Sequence, residues 1–429
     1  MTQGASFEPG LVSEFHTVLD QRRITAVFQP IVDLDNDEPV GFEALARGPA
    51  GSKLSSPRVL FDLAYRTERV AELDWVCRAA AFRDALAAQL PTSLPLFVNV
   101  EPRALGTPCP PDLRSVFEAA AGRLRVVMEV TERSLTHDPA GLLDALGGAR
   151  RESTGVALND LGSDPSSLAV MPLVRPDVIK YDLRVLKEQS SPYSSRITTS
   201  VLAEAEMTGA IILAEGVESA QDVVTARAMG ANLAQGWHFG RPGPLPGRLA
   251  EPARPIRFLP LAPAIGLSPF ETVSRERPPS RTTKELLIPM SMHLEDRILG
   301  MDDPAVVLAC FQDVQHFNSA TRRRYQALAE GTTMVVALGR GMPPEPVPGV
   351  RGGQLEPDDP LTREWIVIAI GSHYAVALLS RERGHVRPQL NRSFDFVITH
   401  DRRLAIQAAQ QVVQRLLPPR VGSAINGLA

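Results

Sequence analysis

Short runs of apolar residues alternate with longer, alanine-rich stretches from about residue 14 to about residue 257. The apolar runs predict strands, and they read TAVFQPIVDL, LPLFVNV, LRVVMEVT, TGVALND, DVIKYD and AIILAEGV. Between them lie helix-like segments such as SRITTSVLAEAEMTG. Strands that alternate with helices favour a parallel sheet with helical crossovers. The length of this region fits a (β/α)8 barrel, and a doubly wound open sheet is the alternative architecture.

The rest of the chain predicts a second, smaller domain. Residues 259–283 are rich in proline and serine and show no clear periodicity, which is typical of a linker. After them, KELLIPMSMHLEDRIL, RRYQALAEG and RLAIQAAQQVVQRLL predict helices. AVVLACFQDV and TMVVALG predict strands, and EWIVIAIG and YAVALLSRE can form a hairpin. We therefore expect a barrel in residues 1–258 and an α+β domain in residues 284–429.

Polar residues recur where the predicted strands of the first domain end. They are Gln29, Asn99, Glu129, Asp160, Lys180 and Glu215. In a barrel the carboxyl ends of the strands form one ring, and active sites lie there. Contact with solvent explains any single one of these residues well. It explains poorly why acids, amides and a lysine stand at several strand ends, so we expect a shared site.

The residue types of this ring indicate a chemistry. The hard oxygen ligands are Glu43, Asn99, Glu129, Asp160 and Glu215. Such ligands suit Mg²⁺ or Mn²⁺ better than zinc. Lys180 is placed to hold or activate a water molecule, and Arg47, just after Glu43, is placed to pair with a phosphate. Together these groups favour metal-assisted hydrolysis of a phosphodiester.

Composition narrows the class of protein. The 429 residues suggest two or three domains, and 44% hydrophobic with 22% charged residues is usual for a globular protein. A net charge of −4 gives no support to a nucleic acid or an anionic membrane as partner. The three cysteines have no disulfide or zinc spacing, and neither a signal peptide nor a long apolar segment is evident. We therefore expect a cytoplasmic protein without membrane insertion.

A series of separated motifs also resembles a known family. In order along the chain they are FQPIVDL, VGFEALARG, LFVNVEP, VVMEVTE, GVALNDLG, RPDVIKYD, AEGVES and AQGWHFGRP. Over about residues 14–257 the series resembles the EAL domain, the cyclic di-GMP phosphodiesterase family of bacteria. The resemblance implies a TIM-like barrel whose first strand is antiparallel to the rest. It also implies opening of cyclic di-GMP to linear pGpG with Mg²⁺ or Mn²⁺, and it makes a homodimer through this domain plausible.

The resemblance also assigns roles to single residues. Its metal-binding positions fall on Glu43, Asn99, Glu129, Asn159, Asp160 and Glu215. Lys180 matches the lysine that positions the hydrolytic water, and Glu215 belongs to the same network. Positions that meet the ligand fall on Gln29, Arg47, Glu218 and Gln235. Glu132 matches the acid that steadies the loop after the paired acids.

Asn159 departs from the family pattern, which has two aspartates where this chain has Asn159-Asp160. A neutral amide offsets the charge of two close cations less well than a carboxylate does. In the loop that follows, Asp164 replaces a glycine and Pro165 replaces a tyrosine, and both changes restrict the backbone. Two expectations stand side by side: a phosphodiesterase with weakened metal binding, or an inactive cyclic di-GMP receptor or protein-interaction regulator.

The C-terminal segments resemble another family. RTTKELLIPMSMHLED, CFQDVQHFNSATRRRYQALAEG and PLTREWIVIAIGSHYAVALLSRE are similar to the DICT sensory domain over about residues 284–420. The resemblance implies a module that receives an unknown signal or protein partner. Its most prominent positions are Phe311, Gln312, Arg324, Tyr325 and Trp365. Packing of a small core is the simpler explanation for each of these residues.

Overall fold

The structure is a computed structural model. It describes residues 9–131, 139–151, 154–159, 161, 167–184, 192–259, 267–301, 303–384 and 392–416. Four residues named above lie outside these ranges, namely Glu132, Asp160, Asp164 and Pro165.

The first domain is a closed barrel of eight strands. The strands are β1 (Thr25–Asp33), β2 (Pro39–Arg47), β3 (Leu96–Asn99), β4 (Val126–Thr131), β5 (Gly155–Asn159), β6 (Val178–Asp182), β7 (Ile211–Glu215) and β8 (Leu233–Ala234). Strand β1 is antiparallel to both of its neighbours, β2 and β8. All other neighbouring pairs are parallel. This confirms the TIM-like barrel with an antiparallel first strand and excludes the open sheet.

Helices surround the barrel. They are α1 (Pro9–Asp20), α2 (Pro57–Arg66), α3 (Val70–Ala87), α4 (Arg114–Ala120), α5 (Pro139–Arg151), α6 (Ser167–Val174), α7 (Pro192–Thr208) and α8 (Ala220–Ala228). Local chemistry explains where several of them begin. Pro57 occupies the first position of α2, where its missing N–H is not needed. Ser219 and Asp222 form a reciprocal capping box at the start of α8.

The C-terminal domain is built on a seven-stranded sheet with the order β12-β11-β10-β13-β14-β15-β9. Its strands are β9 (Ser280–Thr283), β10 (Ala305–Asp313), β11 (Met334–Arg340), β12 (Val350–Gln354), β13 (Glu364–Gly371), β14 (Ala375–Gly384) and β15 (Ser393–Thr399). Its helices are α9 (Pro269–Ser274), α10 (Lys284–Leu299), α11 (Ser319–Gly331) and α12 (Arg402–Val413). Strands β10, β11 and β12 are parallel, and the other pairs are antiparallel, including the expected β13–β14 hairpin. The α+β prediction is confirmed.

The expected linker is shorter than residues 259–283. Strand β9 pairs with β15 at the edge of the C-terminal sheet. Helix α9 begins with Ser268 as its N-cap and Pro269 in its first turn. Serine and proline therefore mark a helix start here. Composition alone does not separate such a helix start from a flexible segment, so it predicts a linker over residues 268–283 as well. The other boundaries stay predictions.

Apolar side chains fill the inside of the barrel and leave its polar groups to one mouth. The interior residues are Ile31, Val40, Phe97, Val127, Ala157, Val178, Leu213, Leu233 and Ile256. Among the described helices, none is both long enough and apolar enough to cross a membrane.

A buried acid ties α9 to the C-terminal sheet and supplies a test of its assignment. Glu364 in β13 is fully buried, accepts a hydrogen bond from the hydroxyl of Ser268 and pairs with Arg381 at 2.7 Å. Removing one partner of a buried pair leaves the other unpaired. We expect Glu364→Ala to lower the free energy of unfolding by about 3 kcal/mol in urea titrations.

Glu276→Ala is the matched control for Glu364→Ala. It breaks a second Glu–Arg pair of the same region, with Arg403, whose two side chains are each about half exposed. Exposed pairs add little to stability, so this variant should unfold like the wild type. Equal effects of the two substitutions would mean that α9 is not anchored through Glu364.

Candidate functional site

Lys180 lies at the centre of the polar mouth. It is the third residue of β6, and its side chain is fully buried. Its Nζ atom is 2.6 Å from Oε1 of Glu129, 2.6 Å from Oε1 of Glu215 and 3.3 Å from Oε2 of Glu43. Burial alone would lower the pKa of Lys180, but the three carboxylates hold that pKa well above its ordinary value. The lysine is therefore a permanent ammonium group.

Glu43, in β2, collects three hydrogen-bond donors. Asn99 Nδ2 donates to its Oε1 at 3.0 Å, and Gln235 Nε2 donates to its Oε2 at 2.7 Å. Lys180 is the third donor. Burial works to raise the pKa of Glu43, but the charge of Lys180 and these hydrogen bonds outweigh it and bring the pKa below its usual range. Glu43 is therefore ionised at neutral pH.

Glu129, in β4, is in a different electrostatic position. Only 1% of the residue is exposed, and its Oε2 accepts a hydrogen bond from Asn159 Nδ2 at 3.4 Å. Burial raises the pKa of Glu129 well above the ordinary value, and the negative charge of Glu43 raises it further, against the opposing effect of Lys180. Three acids around one lysine leave excess negative charge, which a cation would relieve.

Strand register brings these side chains together. Asn99 stands opposite Glu129 in the β3–β4 pair, and Asn159 stands opposite Thr131 in the β4–β5 pair. Gln29 stands opposite Glu43 in the β1–β2 pair. Gln29 and Glu43 lie in the middle of long strands, and β1 runs against the others. The prediction that Gln29 marks a strand end is wrong, although the antiparallel direction of β1 still brings Gln29 to the same mouth.

Gln235 follows β8 and closes the ring. Its Nε2 atom contacts both Glu43 and, at 3.3 Å, Oε1 of Gln29. The next residue must be glycine, because a Cβ atom on Gly236 would lie 2.0 Å from the carbonyl oxygen of Val217. The buried Oε1 atom of Gln235 has no hydrogen-bond partner among the described residues. An acceptor left free beside Glu43 fits a site that takes a further ligand or cation.

Two expected ligand contacts stand apart from this network. Arg47 ends β2 and is half-buried; its Nη1 donates to the carbonyl of Ala46 at 2.8 Å. Burial lowers its pKa, and no acid of the described chain pairs with it, so its guanidinium is available to an anion. Glu218 is exposed, and only its backbone N–H makes a described hydrogen bond, to Asp222.

The site predictions therefore divide into three groups. The network itself contains Gln29, Glu43, Asn99, Glu129, Asn159, Lys180, Glu215 and Gln235. Arg47 and Glu218 lie outside it. Asp160 and Glu132 fall outside the described residues, and their roles stay predictions.

A buried ion pair behind the site was missed from the sequence. Asp74 and Arg78, both in α3, pair at 2.7 Å with almost no exposure, and Arg78 stacks 4.0 Å from the ring centroid of Trp75. Asp74 also accepts the backbone N–H of Glu101 at 2.9 Å, two residues after Asn99. The pair thus supports the chain next to a site residue. An acid and an arginine four positions apart in an apolar helix were the signal.

The donor set fits Mg²⁺ or Mn²⁺ in its chemistry. Glu43, Glu129 and Glu215 offer carboxylates, and Asn99 and Gln235 offer amide oxygens, which hard cations prefer. Within the described ranges, no three acidic, histidine or cysteine side chains form a group able to hold a metal ion. The Lys180 ammonium lies among the three acids instead. Asp160, the remaining expected ligand, is not among the described residues.

Comparison with known proteins assigns the barrel. The model of the EAL domain matches residues 13–242, more than half of the chain. The chain belongs to the EAL domain family. A second model, the sensory domain in diguanylate cyclases and two-component systems, or DICT, matches residues 268–383. Its start agrees with the N-cap of α9 at Ser268.

Characterised relatives share the EAL barrel. The chain is 32% identical over 238 residues to the cyclic di-GMP phosphodiesterase RocR of Pseudomonas aeruginosa. This match covers 53% of this chain and 59% of RocR. The cyclic di-GMP phosphodiesterase NbdA of the same organism is 29% identical over 261 residues, covering 59% of this chain and 33% of NbdA. The chain therefore spans well under two thirds of either relative.

A solved structure is also similar to the EAL barrel. It is BlrP1 of Klebsiella pneumoniae in a manganese and cyclic di-GMP complex, 28% identical, with a TM-score of 0.45, covering 52% of this chain and 56% of BlrP1.

The central lysine of the EAL barrel gives a pH prediction. Lys180→Met removes the cation among Glu43, Glu129 and Glu215, so the pKa of Glu129 rises further and Glu43 loses the positive charge that lowers its pKa. The folded protein then holds protons that the unfolded chain has lost at the same pH. Because the folded state binds more protons than the unfolded state, the free energy of unfolding must fall as pH rises through the range where these acids titrate. Between about pH 5 and pH 8, thermal unfolding of Lys180→Met should weaken more steeply with pH than that of the wild type.

Lys53→Met is the control for Lys180→Met. Lys53 is exposed and lies six positions after Arg47, the last residue of β2. Its loss should leave the wild-type pH slope between pH 5 and pH 8, because solvent and salt screen exposed charges. If Lys180→Met also keeps that slope, the three acids do not depend on the lysine.

Proposed function

We propose that the EAL barrel binds cyclic di-GMP and hydrolyses it slowly to linear pGpG. One observation carries the proposal: the buried Lys180 ammonium is held by carboxylates from β2, β4 and β7 at one mouth of the barrel. A buried cation with excess acid around it is costly for stability alone, and such arrangements mark functional sites. The membership in the EAL family and the names of RocR and NbdA support the reaction proposed.

Different residues of the site would bind the phosphate, the attacking water and the metal ion. Arg47, half-buried and without an acid partner among the described residues, would hold a phosphate oxygen of the dinucleotide. Lys180 Nζ would hold the attacking water, and the Glu215 carboxylate, 2.6 Å from Nζ, would accept the proton of that water. Glu43, Asn99, Glu129, Asn159 and Asp160 would hold Mg²⁺ or Mn²⁺. The cation would neutralise charge on the phosphate and lower the pKa of the water.

The alternative is a receptor that binds cyclic di-GMP without hydrolysing it, or a regulator that acts by protein contacts. Asn159 favours it, because an amide that donates to Glu129 brings no charge for a second cation. Under this alternative the C-terminal domain still receives a signal of unknown chemistry. A homodimer through the barrel would need faces other than α6, because that helix is buried between the barrel and the C-terminal domain.

Turnover separates the two functions. The full chain is incubated with cyclic di-GMP and Mn²⁺ or Mg²⁺, and pGpG is measured by chromatography beside a calorimetric binding titration. Slow conversion that disappears in Glu129→Gln supports the phosphodiesterase. Binding without conversion supports the receptor. No binding at micromolar nucleotide contradicts both the phosphodiesterase and the receptor and leaves the regulator that acts by protein contacts.

Asn159→Asp tests the departure of this site from its family. The new carboxylate adds a charged oxygen for a cation, so the rate of hydrolysis with Mn²⁺ should rise about tenfold. This rise corresponds to an activation free energy lower by ~1.4 kcal/mol. Without metal the same carboxylate repels Glu129, and the melting temperature should fall. Added Mn²⁺ should restore it, because a ligand stabilises the state that binds it.

Asn36→Asp is the matched control for Asn159→Asp. Asn36 lies exposed in the turn between β1 and β2, so this variant should change neither the rate nor the response to Mn²⁺. An unchanged rate in Asn159→Asp would place the limit in the loop with Asp164 and Pro165.

A further inference from the structure

Helix α6 is buried on every side. All eight residues of Ser167–Val174 are buried, and most of them are apolar. A helix that is apolar all round needs partners on opposite faces. The barrel supplies one, and β10, β13 and α12 of the C-terminal domain supply the other. The docking interface, as we name it, consists of α6 and α7 on the barrel and of β10, β13, α12 and the chain around Asp303 and His373 on the C-terminal domain.

The apolar core is continuous across the docking interface. One cluster of buried side chains joins Leu158 and Ile179 of the barrel strands to Leu168 of α6. The same cluster continues into Leu308 and Ile368 of the C-terminal sheet. A displacement of the C-terminal sheet would therefore open a gap beside α6, and close-packed interiors resist such gaps.

Polar contacts along α7 add to the docking interface. Arg196 and Ser200 lie four positions apart on one face of α7. Arg196 pairs with Asp303 at 3.1 Å, and the Ser200 hydroxyl lies 3.2 Å from Nε2 of His373. On the adjacent end of α6, Gln410 of α12 donates to the carbonyl of Leu173 at 3.0 Å. That carbonyl is in the last turn of α6 and has no partner within its own helix.

Glu204 continues the same face of α7 and is the weak point of the docking interface. It is 2% exposed, and neither of its carboxylate oxygens has a hydrogen-bond partner among the described residues. Burial raises its pKa, against the weaker effects of Arg402 in the C-terminal domain and Arg175 at the end of α6. A buried acid without hydrogen bonds destabilises the state that buries it. The docked arrangement is therefore less stable than its apolar contacts alone would make it.

A short segment of the chain connects helix α6 to Asn159 of the candidate site. Seven residues, 160–166, separate Asn159 from Ser167 in the sequence. Within them, Leu161 is buried in the cluster that contains α6 and the C-terminal sheet. Asn159 itself donates to Glu129. The position of α6 therefore bears on the carboxyl end of β5.

We propose that the C-terminal domain is a positioning element of the barrel site: its docking on α6 and α7 holds β5, and loosening the docking interface weakens the binding of a divalent cation and of cyclic di-GMP. Gln410, Ser200 and Glu204 are positioning residues in this scheme. The part that concerns ligands rests on the proposed function. The part that concerns β5 does not.

Variants of opposite expected effect test the proposal in the full chain. Ser200→Arg inserts a large cation beside His373, and Gln410→Ala removes the bond to α6; both should loosen the docking interface. Glu204→Gln removes a buried charge and should tighten it. The matched controls are Gln354→Ala at the exposed end of β12 and Glu206→Gln on the exposed side of α7.

Amide hydrogen exchange is the first measurement, since it needs no ligand. Ser200→Arg and Gln410→Ala should speed exchange about tenfold in both α6 and β5, and Glu204→Gln should slow it. The controls should exchange like the wild type. Faster exchange in α6 with unchanged exchange in β5 would overturn the proposal, whatever the barrel binds.

Mn²⁺ affinity is the second measurement, made by calorimetry with and without cyclic di-GMP. We expect about tenfold weaker binding in the two loosened variants, or ~1.4 kcal/mol, and tighter binding in Glu204→Gln. Equal affinities in all variants that bind would reduce the C-terminal domain to a structural partner. If the wild type binds neither Mn²⁺ nor nucleotide, the proposed function fails. Hydrogen exchange in β5 then decides by itself whether docking of the C-terminal domain holds that strand.

Discussion

The ammonium group of Lys180 is fully buried, and the barrel mouth is arranged around that fact. A buried cation demands carboxylates, and they come from three strands that must close in register to supply them. The carboxylates exceed the charge they balance. Side-chain amides of Asn99, Gln235 and Asn159 donate hydrogen bonds to two of them. These amides spread the surplus negative charge that a divalent cation would otherwise neutralise.

This arrangement gives Asn159 a physical meaning. At the end of β5 an amide donates to Glu129, whereas a carboxylate would repel it. The amide is therefore compatible with a stable mouth that holds no metal, and the carboxylate with a mouth that holds metal. Stability and activity commonly oppose each other in this way at sites built from like charges. The choice between a slow enzyme and a receptor thus reduces to how much charge β5 contributes.

Strand alternation and the residues at strand ends predict a parallel α/β fold, a central lysine and several of its partners. They leave a barrel and an open sheet as alternatives, and the resemblance to the EAL domain favours the barrel. The position of Gln29 in the middle of β1 was beyond that reasoning, because a polar residue inside a long strand looks the same from either direction. Ser268 and Pro269 read as linker until the C-terminal sheet supplied a partner for their helix. An apolar run such as α6 predicts burial without saying what covers it. Only tertiary structure shows that the second cover is another domain.

Glu129 and Glu204 show what decides the effect of a buried acid. Both are almost without exposure, and burial raises the pKa of each. Glu129 has the Lys180 ammonium at 2.6 Å and an amide donor, so these contacts offset the free-energy cost of burying its carboxyl group in the candidate site. Glu204 has no hydrogen-bond partner among the described residues, and Arg402 and Arg175 offset its burial only in part, so the cost falls on the docking of two domains. Interfaces between domains move by default unless they are large and apolar. This one is apolar through α6 and buries an acid without a described hydrogen-bond partner at Glu204, so the apolar contacts favour docking and Glu204 opposes it.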